Sequence, residues 1–478
     1  MEYLYDKLKK YSKSDWYGFH MPGHKRNGSI TGVDLPYDID ITEISGFDDL
    51  HHPKGVLQEA EARAAEVYHA EETHYLVNGS TVGILSAVLG CTRPGERVLM
   101  SRNCHKSVYN ALYINNLRPV YLYPEIISEV GVNGPVSTEE VGRLLKANTD
   151  VRAVIITSPT YDGVISDVRE IVRLSHLYGI PVILDEAHGA HFGFHPYFSH
   201  NGNELGADIV IHSLHKTLPS LTQTALLHIN GNIVNRENVR RYLHILQSSS
   251  PSYVLMASMD ECIRLLMNER EKLFDRYVSL LIKTRKQLHK LKHLKLFEIN
   301  NYDRSKILID VSNSCVYSGG EIKKYTGKQL YDELRKEYLL EMEMASLNYI
   351  IAMTAPGDSD EGINRLISAL TEIDGKLAKY GNNELNYLKI DLNYQNKQIY
   401  SQREIEKFIN KGISVPIAES IGAVAMEFAY VYPPGIPMIV PGERISLKTA
   451  ECLQYYAEQG FDIKGTRIKG QIEVLKNG

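Results

Sequence analysis

Lys216 sits in the run Ser213-Leu214-His215-Lys216-Thr217, just after the apolar stretch Ala207-Asp208-Ile209-Val210-Ile211 and downstream of Asp185-Glu186-Ala187-His188. A lysine amine condenses with an aldehyde to give an imine, and a carboxylate one strand away can pair with a protonated pyridine nitrogen, turning that ring into an electron sink. Together Lys216 and Asp185 look like the two electronic contacts of a pyridoxal phosphate site. Most lysines are solvated surface ammoniums. Lys216 differs because it follows an apolar strand, has Ser213 and His215 before it, and comes after an acid that closes another apolar strand.

Further residues of the right types surround this pair. Asn78-Gly79-Ser80-Thr81-Val82-Gly83 precedes an apolar helix running to about Leu89. A small-residue turn feeding a helix exposes backbone N–H groups at the positive end of the helix dipole, and Ser80, Thr81 and Ser213 add hydroxyls for a phosphate. The competing role of Ser80 and Thr81 is simple helix capping. His105, in Arg102-Asn103-Cys104-His105-Lys106-Ser107, opens another helix and could stack on a cofactor ring. His188, His191 and His195 near Asp185 raise a metal site, but their spacing matches no ligand motif, so the expectation is no metal. Ser248-Ser249-Ser250-Pro251 reads by default as a linker.

Those residues need a scaffold, and the hydrophobic pattern predicts one. Strands are expected at Arg97 to Met100, Val120 to Tyr123, Ala153 to Thr157, Val182 to Asp185, Ile209 to His212 and Ala225 to Ile229. Helices fall between them, from Ser137 to Lys146 behind a Ser137-Thr138-Glu139-Glu140 capping box and from Val168 to Tyr178, closed by Gly179. Alternating strands and helices imply an α/β fold, a mainly parallel sheet covered on both faces, with ligands beyond the carboxyl ends of its strands. Asp185, Lys216 and the Ser158-Pro159-Thr160 turn all lie at such ends. A long helix from Tyr253 to about Leu291 leads to a smaller α+β region with a strand at Lys306 to Val311 and a helix at Lys328 to Tyr338. Gly381-Asn382-Asn383-Glu384 reads as a linker to a C-terminal appendage. The expected division is an N-terminal segment 1–50, a large domain 51–258, a small domain 259–380 and a C-terminal domain 381–478.

Composition excludes several functions. The 478 residues, 43% hydrophobic and 23% charged, suffice for a large core in two or three domains. A formal charge of −5 with both signs interspersed offers no basic field for nucleic acid. Five scattered cysteines without CxxC spacing suit a reducing cytosol. The start Met1-Glu2-Tyr3-Leu4-Tyr5-Asp6 has no apolar signal segment, and no apolar run approaches a membrane span, so a cytoplasmic protein is expected.

Ordered motifs along the whole chain carry a family resemblance. They read Phe19-His20-Met21-Pro22-Gly23-His24, Asp48-Asp49-Leu50-His51 with Pro53-Lys54-Gly55, Asn78-Gly79-Ser80-Thr81, Arg102 to Ser107, Asp185-Glu186-Ala187-His188-Gly189 and Ser213-Leu214-His215-Lys216. They continue as Ser249-Ser250-Pro251-Ser252-Tyr253, Tyr432-Pro433-Pro434-Gly435-Ile436-Pro437 and Pro441-Gly442-Glu443. The chain resembles the Orn/Lys/Arg decarboxylase family, fold type I pyridoxal phosphate enzymes of the aspartate aminotransferase-like class, in a short form without the N-terminal wing domain. It departs in having serine where relatives often have threonine in the Ser248 to Ser250 loop, and glycine after His188.

The resemblance implies decarboxylation of a basic amino acid to the amine and CO2. Lys216 would carry pyridoxal phosphate as an imine, Asp185 would hold the pyridinium, and His105 would stack on the ring. Ser80, Thr81, Ser213 and His215 would surround the phosphate or the lysine, and His188 would flank the ring. It further implies a homodimer with shared sites, in which Ser249 and its loop reach the neighbouring subunit's phosphate. Each turnover consumes a proton, which suits polyamine supply or acid resistance; His215 and Lys216 are both candidates to deliver it. Asp48, Asp49 or Glu343 could receive the substrate's cationic end. Arginine, lysine and ornithine differ in length and in a planar fork against a point charge, and the choice stays open, with arginine or lysine ahead. The rival readings are another reaction on this cofactor, such as amino transfer, which would call for a small-domain arginine, and a catalytically silent regulatory homologue.

Overall fold

The computed structural model describes residues 2–318, 320–379, 395–432 and 435–475, so the expected linker at 381–384 and Pro433-Pro434 of the C-terminal motif lie outside the described residues. An unexpected strand β1 (Glu72–Leu76) precedes the expected runs at Arg97 and Val120, which become strands β2 (Arg97–Ser101) and β3 (Arg118–Leu122). After a small hairpin of β4 (Ile126–Ile127) and β5 (Val132–Asn133) come β6 (Val151–Thr157), β7 (Val182–Asp185), β8 (Ile209–Ser213) and β9 (Ala225–Ile229). Seven of these form one sheet in the order β1-β9-β8-β7-β6-β2-β3. The run from β8 to β3 is parallel, while β9 lies antiparallel between β1 and β8. The α/β fold with a mainly parallel sheet is therefore present, with one reversed strand.

Side-chain alternation explains why both faces are covered. Ile183, Ile209 and Ile211 join one core cluster with α3 (Gly79–Cys91) and α4 (Lys106–Ile114), whereas Val182, Leu184 and Val210 join another with α5 (Thr138–Ala147) and α6 (Val168–His176). Ser137 caps α5 by accepting from the Glu140 N–H. The expected capping box is incomplete: the Glu140 carboxylate pairs with Arg143 one turn on, at 2.6 Å. The helix foreseen to Tyr178 stops at His176, and Gly179 follows with a left-handed φ of +65°. Strand β8 ends in the single turn α7 (Leu214–Thr217), and α8 (Arg236–Leu246) completes the α3 face.

Two helices before β1, α1 (Leu4–Ser12) and α2 (Val56–Val67), pack on the N-terminal half of α9 (Tyr253–Leu288). That long helix starts where expected, capped by Ser252, and stops three residues earlier than Leu291. It runs unbroken through the division placed at residue 258. In its buried seam, Arg63 donates to Asp260 Oδ1 at 2.8 Å, and the Leu4 N–H donates to Asp260 Oδ2 at 2.8 Å. Removing one member of a buried ion pair leaves the other charge uncompensated, at about 3–5 kcal/mol. Arg63→Met should lower the unfolding free energy by about that amount, read as a lower denaturant midpoint with an unchanged slope.

Beyond α9, β10 (Lys295–Leu296), β11 (Lys306–Asp310), β12 (Met344–Ala345) and β13 (Tyr349–Met353) form a second, antiparallel sheet in the order β10-β11-β13-β12. Helices at Gly327–Tyr338 and Asp360–Lys376 cover it. The C-terminal region pairs Gly412–Pro416 with Gln471–Leu475 around its own core. Arg102 ties it to the large sheet, with Nη2 3.2 Å from Glu443 and Nη1 donating to the Pro437 carbonyl at 2.6 Å.

Candidate active site

Parallel strands that end together deliver the polar residues to one place. Asp185 closes β7, Ser213 closes β8 beside it, and α7 lifts Lys216 one turn further. Asp185 is buried, and its Oδ1 accepts from the Ala187 N–H at 3.2 Å. Among the described residues it has no ion-pair partner. Burial pushes its carboxyl up and the charge of Lys216 pulls it back. Lys216 Nζ lies 2.9 Å from His188 Nε2, and the other nitrogen of that ring, Nδ1, is 3.4 Å from Lys306 Nζ.

The histidines around this centre are held as neutral rings. Burial, then the charges of Lys216 and Lys306, then His105 and His215, push His188 far below its ordinary range. The ring of Tyr161 packs edge-on against it at 4.9 Å between centroids. A side chain on Gly189 would meet Glu186 Cγ at 2.6 Å and Pro159 Cδ at 3.0 Å, so the turn that aims His188 has space for glycine only. His105 caps α4, its Nδ1 accepting from the Ser107 N–H at 3.3 Å, and burial, with Lys216 and Lys106, pushes it down to about 4. His215 donates its Nδ1–H to the Thr224 carbonyl at 2.9 Å, leaving Nε2 as the acceptor.

At the start of α3 no side chain caps the helix, and Ser80 Oγ meets Ser213 Oγ at 2.6 Å. Thr81, in the same turn, is exposed and bonds to neither serine. Ser249 is exposed as well and makes no side-chain hydrogen bond among the described residues; its neighbour Ser248 is held by Asn78 Oδ1 and by His51 Nε2 at 2.9 Å from its carbonyl. The structure thus brings Ser80, Ser213, Lys216, Asp185, His188, His105 and His215 to one end of the sheet, and leaves Thr81 and Ser249 at its edge.

Of the three acids weighed for a cationic substrate, Asp48 is committed elsewhere. Its carboxylate accepts backbone N–H bonds from Lys54, Gly55 and Leu57 and closes the loop into α2. Asp49 likewise accepts from the His51 N–H. Glu343 alone remains: it is exposed, bonded by the Tyr161 hydroxyl, and its charge reaches both Lys216 and Lys306. Two of the histidines weighed for a metal are engaged in separate pairs, His191 with Asp303 at 3.0 Å and His195 with Asp275 at 3.4 Å. Sequence reasoning missed Tyr161 and Lys306. The second had a faint signal, a lysine heading the otherwise apolar strand Lys306-Ile307-Leu308-Ile309.

Pyridoxal phosphate asks for an amine, an anion for its ring nitrogen and donors for its phosphate. Lys216 supplies the first. Asp185, a buried carboxylate with no ion-pair partner among the described residues, supplies the second, and the start of α3 with the Ser80 and Ser213 hydroxyls supplies the third. The residues fit the group.

Comparison with known proteins agrees. The model for the Orn/Lys/Arg decarboxylase major domain matches residues 3–310, and that for the C-terminal domain of the same family matches residues 391–461. An arginine decarboxylase of Bacillus subtilis is 30% identical over 479 residues, covering 97% of this chain and 95% of that protein. An uncharacterized protein of the same organism, YaaO, is 35% identical over 473 residues, covering 97% and 95%. The crystal structure of the Francisella novicida lysine decarboxylase LdcF superposes with a TM-score of 0.83 at 20% identity, over 99% of this chain and 81% of that one, a likeness of fold.

Proposed function

Because the chain belongs to the Orn/Lys/Arg decarboxylase family, we propose that it removes the α-carboxyl group of arginine or lysine as CO2, with Lys216 and Asp185 as the central residues. The observation that carries this reading is the Lys216 amine at the end of β8 in electrostatic reach of the buried carboxylate of Asp185, which has no ion-pair partner among the described residues. Bound pyridoxal phosphate supplies an aldehyde that takes up amines and a protonated ring that accepts the electron pair left at Cα when the carboxyl group departs. Lys216 would tether it and exchange with the substrate amine. Asp185 would keep the ring nitrogen protonated, because an anion in a buried site favours the charged form of its neighbour. Ser80 and Ser213 would donate to the phosphate, and His105 would pack on the ring. Lys216, and His215 once its Nε2 has taken up a proton, would move the proton that Cα takes up. In this reading the protein is a cytoplasmic homodimer serving polyamine supply or acid resistance, and the exposed Ser248 to Ser250 loop reaches the phosphate site of a second copy.

Arginine stands first because the relatives named arginine decarboxylase match nearly the whole chain, and because a carboxylate such as Glu343 accepts a guanidinium fork with two parallel bonds. The test is CO2 release from purified protein given arginine, lysine and ornithine, with norleucine as the uncharged control. Release from a basic amino acid and none from norleucine is expected; transfer of the amino group to a 2-oxo acid without CO2 would replace the reading with an aminotransferase. Glu343→Gln should raise KM for the basic substrate roughly 10- to 100-fold with a smaller change in kcat, the worth of one charged hydrogen bond.

A further inference from the structure

Lys306, at the head of β11, is completely buried and meets the site at His188. Its Nζ lies 3.4 Å from His188 Nδ1, while His188 Nε2 lies 2.9 Å from Lys216 Nζ. One imidazole therefore bridges two lysines. A neutral imidazole has one N–H donor and one acceptor nitrogen. An ammonium has only donors, so it can face only the acceptor nitrogen. Both lysines cannot be ammoniums while His188 is neutral, and burial, the largest influence on its ring, keeps it neutral. The ring thus allows at most one of its two neighbours to be an ammonium.

The surroundings decide which lysine keeps the proton. Asp303 Oδ2, buried and without a hydrogen-bond partner among the described residues, is 3.8 Å from Lys306 Nζ. Burial pushes the Asp303 carboxyl up, but His191, Lys306 and the Ser305 bond outweigh it and hold it at about 2, so it is an anion. Burial pushes the Lys306 ammonium down, and the charges of Asp303, then Glu343 and Asp162, pull it back up. Lys216 has Asp185 and Glu343 in electrostatic reach and no carboxylate within ion-pair distance among the described residues. His105 and His215, the other titratable groups facing His188, are neutral, and Tyr161 packs on it as a ring.

We propose that Lys306 is a positioning residue: its ammonium, anchored by Asp303, donates to His188 Nδ1, places the ring hydrogen on Nε2, and so holds Lys216 as a neutral amine in the cofactor-free site. A neutral amine has the lone pair that attacks an aldehyde; an ammonium does not. The inference rests on Lys216 being the cofactor lysine, and the two can fail separately. Borohydride reduction of the loaded protein followed by peptide mapping tests that premise, since the modified peptide must contain Lys216.

Lys306 itself is tested on the full-length protein stripped of cofactor. Acetic anhydride labelling of Lys216, followed by mass spectrometry from pH 6 to 10, reports the neutral amine, and the absorbance change on adding pyridoxal phosphate gives the uptake rate over the same range. In the native protein both rates stay nearly level through neutral pH. Lys306→Met should move their midpoint up toward the ordinary lysine range near 10.4 and lower both rates at pH 7.5 by at least about tenfold. Lys306→Arg, which keeps the charge, should restore most of the native profile. Should the Met variant not fold, as judged by circular dichroism, Asp303→Asn removes the anchor and must shift the midpoint the same way. A folded Lys306→Met or Asp303→Asn protein with the native pH profile would overturn the proposal.

Discussion

Lys216→Ala protein should release CO2 from arginine or lysine at least about 10³-fold more slowly than the native protein, because one side chain here supplies both the covalent tether and a proton-transfer group, and the latter alone is worth roughly 10²–10⁴-fold. Stability should change little. Lys216 is half-buried, and its hydrogen bond is to the Nε2 of a histidine that keeps Lys306 on its other side. Two measurements separate loss of chemistry from loss of fold. The variant should unfold at nearly the native denaturant concentration, and borohydride should no longer fix pyridoxal phosphate to the chain, so that dialysis removes it. A variant that still yields a borohydride-fixed adduct would move the tether to another lysine, and buried Lys306 would be the first to examine.

Such a prediction could be framed from the sequence because the residues involved are announced locally. Asp185 and Ser213 close apolar runs, and Lys216 follows the second run by one helical turn, so the strand pattern alone places them at a common edge. β1 was missed for the opposite reason. Glu72-Thr73-His74-Tyr75-Leu76 looks polar, and it is tolerated in a sheet because Thr73 bonds to His228 and Glu72 meets Arg240, partners remote in the chain and contributed by different elements. α2 gives little warning either. Its cap residue is Gly55, and the carboxylate that satisfies its first N–H groups comes from Asp48, seven positions upstream of that cap. That long-range use of Asp48 also explains why it looked available for a substrate and is not. Lys306 was illegible as a site residue because its burial is tolerable only beside Asp303 and His188, and the second of these is 118 positions away. Local pattern reveals strand ends; it does not reveal which buried charges find each other.

Asp185→Asn tests the electrostatic half of the site, and it should produce two effects of opposite sign. The amide keeps the shape of the side chain and can still accept the Ala187 N–H, so the fold and cofactor uptake should survive. It carries no charge, and one of its faces becomes a donor, so it cannot hold a proton on the ring nitrogen. Loss of a preorganised electrostatic partner of this kind costs roughly 10²–10³-fold in kcat. In the cofactor-free protein the same substitution removes a charge that favours the ammonium form of Lys216, a pull that burial and Lys306 already oppose. The Lys216 labelling midpoint should therefore shift down in Asp185→Asn, whereas Lys306→Met shifts it up. A general loosening of the site would admit water around Lys216 and move both variants upward, toward the ordinary lysine value. Opposite displacements, with kcat falling in the Asp185 variant while its Lys216 amine becomes easier to label at lower pH, require two specific charges acting on one amine from the two sides of His188 and β7. A Asp185→Asn protein with native kcat would remove Asp185 from the reaction, and one whose midpoint rises would mean that the carboxylate does not act on Lys216 through space.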